Sequence, residues 1–266
     1  MTTPPLYKDY SKEASDLLSK NFTDAGLLLI ENKYKGADQT VFINPQLEKA
    51  GPKLDVQYND KSKGMKYKLG VTLRGFPEIT VGHELGPHSS ELSTGKQQFT
   101  YDYKYGVLAY HVRLSTKDVT KTMSWECCKH AAIGGGVVYD YTAQAFSWFS
   151  LGFYYSCCPE FRVSVQASRT KGTFHYHTAG YYAFNNELLK CVKLGLVAHC
   201  GQKDGAKVSA GTEFGCPFGS GATLRLKMDN TFVASLAAIR KFAGGWTASV
   251  AIDSKNKKPG FLFTHE

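Results

Sequence analysis

The residues of this chain best suited to chemistry are cations set at every second position. Lys66 and Lys68, Lys104, Arg113, Arg162, and Arg225 with Lys227 sit in runs where polar and apolar residues alternate, and the acids in the same runs are Asp102 and Asp253. Fixed positive charge gathered on one face attracts anions and raises their local concentration. Rings of Lys and Arg around a confined aqueous space favour anions in a pore. Other constellations are weaker. His175-Tyr176-His177 puts two imidazoles on one strand face with no third metal ligand in view. Gly134-Gly135-Gly136 and the stretch Gly211 to Gly221 lack the Lys-Ser/Thr and the strand-to-helix setting of a phosphate loop, and read as turns or close approaches of neighbouring backbones. The cysteines Cys127, Cys128, Cys157, Cys158, Cys191, Cys200 and Cys216 form no CxxC, and each adjacent pair points to opposite faces of a strand. Structural zinc wants ligands at C-x2-4-C spacing, so these read as free thiols behaving like small apolar residues. No nucleophile elbow, HExxH or catalytic Cys/His signature is present, so no catalytic residue, metal or cofactor is expected, and the chain is not expected to be an enzyme.

Those cations must be positioned by strands. Tyr67, Leu69, Val71 and Leu73 alternate with Lys66, Lys68, Gly70, Thr72 and Arg74. Phe99, Tyr101, Tyr103 and Tyr105 alternate with Gln98, Thr100, Asp102 and Lys104. The phase then flips, and Leu108, Tyr110, Val112 and Leu114 face away from Ala109, His111, Arg113 and Ser115, so a turn falls at Tyr105-Gly106. The pattern returns around Phe161–Gln166, Ala222–Met228 and Trp246–Asp253, and Asp229-Asn230 separates two such runs at hairpin spacing. Marking every such run gives about eighteen strands of roughly nine to eleven residues, the length of a tilted strand that crosses a bilayer. No crossover helix separates them, so the sheet reads as serial and antiparallel. A sheet this wide removes its two exposed edges by closing, and the resulting barrel is too wide for side chains to fill. Its apolar face then belongs outside, toward lipid, and its polar face toward a lumen.

The bulk composition agrees. The chain has 266 residues and a formal net charge of +9, with 16 Tyr and 16 Phe. No stretch approaches eighteen consecutive apolar residues, which excludes a spanning helix, and the first residues carry no apolar targeting segment. The mean hydropathy of −0.29 resembles that of a water-soluble protein, but in a barrel strand the polar half cancels the apolar half. Nucleic acid is the other partner a basic chain suggests, yet neither a recognised motif nor a basic run appears, so none is expected.

The first twenty-two residues differ from the rest. Pro4-Pro5 precedes Tyr7, Tyr10, Ala14, Leu17 and Leu18, spaced by three and four, with Lys8, Asp9, Lys12, Glu13, Asp16 and Lys20 around them. This is one short amphipathic helix, too short to be stable alone, so it must lie against another surface.

At this point the chain resembles a known family, the eukaryotic mitochondrial porins or voltage-dependent anion channels. Pro4-Pro5-Leu6-Tyr7-Lys8-Asp9-Tyr10-Ser11-Lys12-Glu13-Ala14-Ser15-Asp16 resembles the family's PP-x-Y-x-D-x-x-K-x-A-x-D opening, and Lys20 fits the lysine that follows. Gly26 to Lys35 is similar to its first strand, and Leu226 to Asp253 to its late hairpins. Near the end Lys258-Pro259-Gly260 and Phe263 fit the sorting signal, while His265 stands where an apolar residue is expected; the early membrane-facing glutamate and the GLK triplet have no counterpart. The resemblance implies an all-β membrane protein: a single antiparallel transmembrane barrel of nineteen strands, the number for which that family is known. Residues 26–266 would form the barrel and residues 1–22 a helix inside the lumen. Tyr10, Leu17 and Leu18 would pack on the wall, and Lys12, Asp16 and Lys20 would face the narrowed passage. Glu31, Lys33 and Lys35 would join Lys66, Lys68, Arg74, Arg113, Arg162, Arg225 and Lys227 in the pore lining. The implied function is a voltage-dependent, anion-preferring channel of the mitochondrial outer membrane, surrounded by membrane lipid and passing anionic metabolites such as ATP and ADP; self-association into a homo-oligomer stays open. Two alternatives remain: a nineteen-stranded protein-import pore of the same membrane, which expects an acidic interior, and a soluble all-β binding module.

Overall fold

The computed structural model describes residues 3–22, 27–48, 51–72, 76–202, 205–217 and 221–265. A 3-10 turn over Tyr7–Asp9 and helix α1 (Lys12–Ser19) precede nineteen strands. These are β1 (Leu28–Lys35), β2 (Gln39–Glu48), β3 (Gly51–Asp60), β4 (Met65–Thr72), β5 (Glu78–Leu85), β6 (His88–Ser93), β7 (Gln98–Tyr105), β8 (Leu108–Ser115), β9 (Asp118–Cys128) and β10 (Ala131–Asp140). The remainder are β11 (Ala145–Cys158), β12 (Phe161–Thr170), β13 (Thr173–Asn186), β14 (Lys190–Gly201), β15 (Gly205–Gly215), β16 (Ala222–Asp229), β17 (Ala234–Lys241), β18 (Trp246–Asp253) and β19 (Gly260–His265). Each strand pairs with the next in sequence, and β1 pairs with both β2 and β19, so the sheet closes.

One expectation is corrected at the seam. Consecutive strands are antiparallel, but β1 and β19 run parallel, with Leu29 opposite Leu262 and Glu31 opposite Thr264. The reason is parity: in a serial meander, strands alternate in direction, so an odd number returns the last strand in the direction of the first. The alternation count of about eighteen also falls one short. Strand lengths scatter more widely than expected, from 6 residues in β6 to 14 in β11 and β13. β6 has a single aliphatic residue, Leu92, so period-2 hydrophobicity hardly marks it.

The phase flip after Tyr105 is a tight hairpin in which Gly106 takes φ +55°, a conformation glycine adopts at no steric cost. The faces separate as alternation requires. Leu69, Leu92, Met123, Leu151, Leu194 and Leu236 are exposed on one face. The other carries most of the charges and the small polar residues Ser124, Ser150, Ser164 and Ser249, all buried, while Lys121, Arg169 and Arg240 stand in register with outward apolar residues.

The helical segment lies within that second face. Lys8 reaches Asp102 on β7, Gln166 on β12 donates to the Tyr7 carbonyl (3.1 Å), Arg225 on β16 donates to the Lys20 carbonyl (2.8 Å), and Ser249 on β18 donates to the Asn21 carbonyl (3.3 Å). From Lys8 to Asn21 a helical chain spans roughly 20 Å, whereas β7 to β18 is about 50 Å of wall at ~4.8 Å per strand. A short straight segment can touch that much wall only where the wall curves around it, so the segment runs through the barrel interior. The expected single helix is broken at Tyr10-Ser11 into the 3-10 turn and α1. The tighter winding sets residues three apart on one line, which points Tyr7 and Tyr10 at the wall together.

Candidate pore lining and its helix

Two facing glycine pairs receive the helical segment. Gly134 on β10 lies opposite Gly152 on β11, and Gly195 on β14 lies opposite Gly211 on β15. A β-carbon on Gly134 would sit 2.7 Å from Tyr7 Cδ2 and 2.8 Å from the Tyr10 hydroxyl; one on Gly152 would sit 2.9 Å from Tyr7 Cε2. At the second pair, a β-carbon on Gly195 would come 2.9 Å from Leu17 Cδ2, and one on Gly211 2.6 Å from Leu18 Cδ2. Gly134, Gly135 and Gly136 are therefore strand residues and not the turns expected from sequence. The close approach of neighbouring backbones expected there is present, with the Met123 carbonyl 2.7 Å from a β-carbon on Gly134 and the Ser150 carbonyl 2.7 Å from one on Gly135, and Gly134 also admits the aromatic side chains of the inner segment. Of the other Gly-rich stretch, Gly211 to Gly215 lies in β15, and residues 218–220 fall outside the described residues.

Packing and polar contacts reinforce each other there. Tyr10 is 2% exposed, packs edge-on against Tyr7 (5.1 Å between ring centroids) and at a tilt against Tyr154 (5.2 Å), and shares a 2.6 Å hydrogen bond with Ser124 Oγ. Burial pushes the Tyr10 phenol up to about 12, so it stays neutral. Tyr7 shares a hydrogen bond with Ser150. Leu17, Leu18 and Ala14 are buried, so Tyr10, Leu17 and Leu18 all meet the wall.

The charges form a recurrent arrangement in which one carboxylate sits between two cations. Asp16 lies 2.7 Å from Lys20 and 3.7 Å from Lys12. Asp55 lies 3.5 Å from Lys53 and 3.8 Å from Lys68. Glu213 lies 2.5 Å from Lys193 and pairs with Arg225 from the other side. Each such trio carries one net positive charge. Asp102 is held similarly, between Lys8 (3.0 Å) and His111. One-to-one pairs join Lys66 to Glu84, Arg113 to Asp118 (3.0 Å) and Arg162 to Glu13. Lys12 and Lys20 remain 56% and 60% exposed at the side chain, on the open flank of α1.

The other lining candidates fall on the same face. Lys33 lies over the Phe42 ring (5.4 Å) and, with Lys35 and Lys66, borders a hollow of about 660 Å³. Glu31 is in register with Thr264, and Lys227 lies over the Phe22 ring (4.7 Å). Arg74 lies outside the described residues. The face holds more acids than the clearest alternating runs contain: Glu78, Glu84 and Glu91 stand on β5 and β6, and Glu213 on β15. Alternation could place Glu213 on the polar face, but only the strand register brings Lys193 and Arg225 to it. The same register completes a row of imidazoles. His199 lies opposite His177, with its ring 6.2 Å from His177 and 5.7 Å from His175. Among the described residues no group of three or more His, Cys, Asp or Glu is placed to hold a metal ion.

Nineteen strands ~4.8 Å apart and tilted by about 40° close at roughly 38 Å between facing backbones. Wall side chains and a helix about 10 Å thick then leave a passage on the order of 15 Å. The geometry therefore defines a channel-like barrel with a helix fixed to part of its inner wall. Comparison with protein-family models gave no match, and comparison with curated proteins gave none either.

Proposed function

We propose that this protein is a passive channel of the mitochondrial porin class, spanning the mitochondrial outer membrane and passing small ions and anionic metabolites such as ATP and ADP, with a preference for anions. It performs no catalysis. The observation that carries the reading is the set of doubly clamped carboxylates around a helix that occupies only part of the lumen. At Asp16, Asp55 and Glu213 two cations attend each acid, so local neutralisation leaves positive charge facing the water. Confined fixed charge raises the concentration of counter-ions, here anions. The apolar outer face supports a membrane setting, since a water-soluble barrel would expose far more contiguous apolar surface than such proteins carry. The N-terminal resemblance supports the mitochondrial address and the voltage dependence. An import pore for basic presequences would call for net acid in the same place.

Purified protein in a planar bilayer with a potassium chloride gradient tests this. The expected result is a wide pore with a reversal potential on the chloride side. Cation preference, or no conductance, would overturn the proposal. Lys12→Glu with Lys20→Glu should move the reversal potential toward potassium; an unchanged value would mean that α1 does not border the narrowest part.

A further inference from the structure

The outer wall from β8 to β13 carries a polar feature that transport does not use. Lys121 on β9 is in register with Val137, Val137 with Phe149, and Phe149 with Arg169 on β12, so the two cations lie in one cross-strand row on the apolar face. Three strand spacings separate them, about 14 Å. Both are exposed, neither has a carboxylate partner among the described residues, and the Arg169 guanidinium lies 5.6 Å from the Phe174 ring. The row stands close to one rim: β9 begins at Asp118 and β12 ends at Thr170.

Away from that rim, the next row is Met123, Gly135, Leu151 and Ala167, followed by Trp125, Ile133, Phe153 and Val165. Gly135 and Ala167 are small and flank Leu151, which is 74% exposed. The wall is therefore hollowed beside a ridge. A groove of about 720 Å³ borders Lys121 and Arg169, and a second of about 670 Å³ shares Met123, Gly135, Leu151 and Ala167 with it. Together they run along the strands from the cations to Trp125 and Phe153.

We infer that this groove binds an anionic phospholipid of the surrounding bilayer, with phosphate oxygens at Lys121 and Arg169 and an acyl chain over Gly135 and Ala167. The inference rests on the reading of the outer face as lipid-facing. Charge decides the occupant. A zwitterionic lipid offers the two cations no net charge, and a second copy docking through the same wall would bring its own Lys121 and Arg169 against them. An anionic headgroup at the rim satisfies both cations and leaves the apolar chain to fill the groove.

Reconstitution into phosphatidylcholine vesicles containing some phosphatidylglycerol, flotation, mild extraction and native mass spectrometry test this. Wild-type protein should retain phosphatidylglycerol in preference to phosphatidylcholine. Lys121→Gln with Arg169→Gln should lose that preference by roughly thirtyfold, since each cation near an anionic lipid surface contributes about fivefold. Ala167→Phe, which keeps both cations and fills the groove, should also release the lipid. Arg240→Gln, a cation on the same outer face but on β17, should change nothing. Equal retention of the two lipids, wild-type retention by the double or the Ala167 variant, equal loss in the Arg240 variant, or a lipid-free dimer would each overturn the inference. Protein that fails to float refutes the membrane reading itself; protein that floats without selective lipid refutes only the site.

Discussion

Replacing Tyr10 should release the front of the inner segment while leaving the barrel standing. α1 has eight residues, too few for a helix to persist without tertiary contacts, so its position depends on what its side chains touch. Tyr10 supplies a fully buried ring, two aromatic neighbours and a hydrogen bond to Ser124, which is itself 0% exposed. Truncating a large buried aromatic to alanine costs about 3–5 kcal/mol, a factor of roughly 10² to several 10³ in the population of the detached form. Tyr10→Phe keeps the ring and loses the hydrogen bond, leaving the Ser124 hydroxyl short of one partner, for about 1–2 kcal/mol, or roughly five- to thirtyfold. Trypsin cleavage after Lys8 and Lys12 in vesicle-embedded protein follows that population when reclosing is fast. The rates should rank wild type, Tyr10→Phe, Tyr10→Ala, with the thermal transition of the barrel unchanged. If Tyr10→Ala is cleaved no faster than wild type, the ring is not the anchor. If the barrel melts together with the segment, the two are not separable units.

Gly211→Val should drive a side chain into Leu18 and the Leu226 carbonyl, at 2.6 and 2.8 Å from the β-carbon position, costing about 1–3 kcal/mol by overpacking; faster cleavage after Lys20 reads it out. Glu213→Gln removes the acid between Lys193 and Arg225 and should shift the reversal potential further toward chloride, a shift toward potassium being the contrary result. Anion preference should also weaken steeply from 0.1 to 1 M salt, as the Debye length falls from about 10 to about 3 Å and drops below the half-width of the passage. A preference independent of salt would point to a dry constriction in place of screened wall charge.

Much of the barrel was legible in the residues. Alternation fixed β7, β8 and β18 to the residue, because one apolar outer face and one polar inner face impose a period of two that no helix shares. The stripe Tyr7, Tyr10, Ala14, Leu17 and Leu18 is the face that α1 and the 3-10 turn bury. The clear runs showed cations but underestimated the acids, because Glu91 and Glu213 stand in strands whose apolar partners are sparse or small.

The sequence alone determined which residues share a face, that the strands follow one another without crossovers, and that a short amphipathic helix needs a wall. Those are properties of neighbours in the chain. The tertiary structure decided the odd strand number and hence the parallel seam, the pairing of Gly134 with Gly152 and of Gly195 with Gly211 beneath the helix, and the cross-strand meeting of Asp55 with Lys68 and of Glu213 with Lys193 and Arg225. The physical reason is register. Which side chains meet across a barrel depends on the stagger accumulated through every hairpin between them, and on closure, and neither is a property of any local stretch of residues.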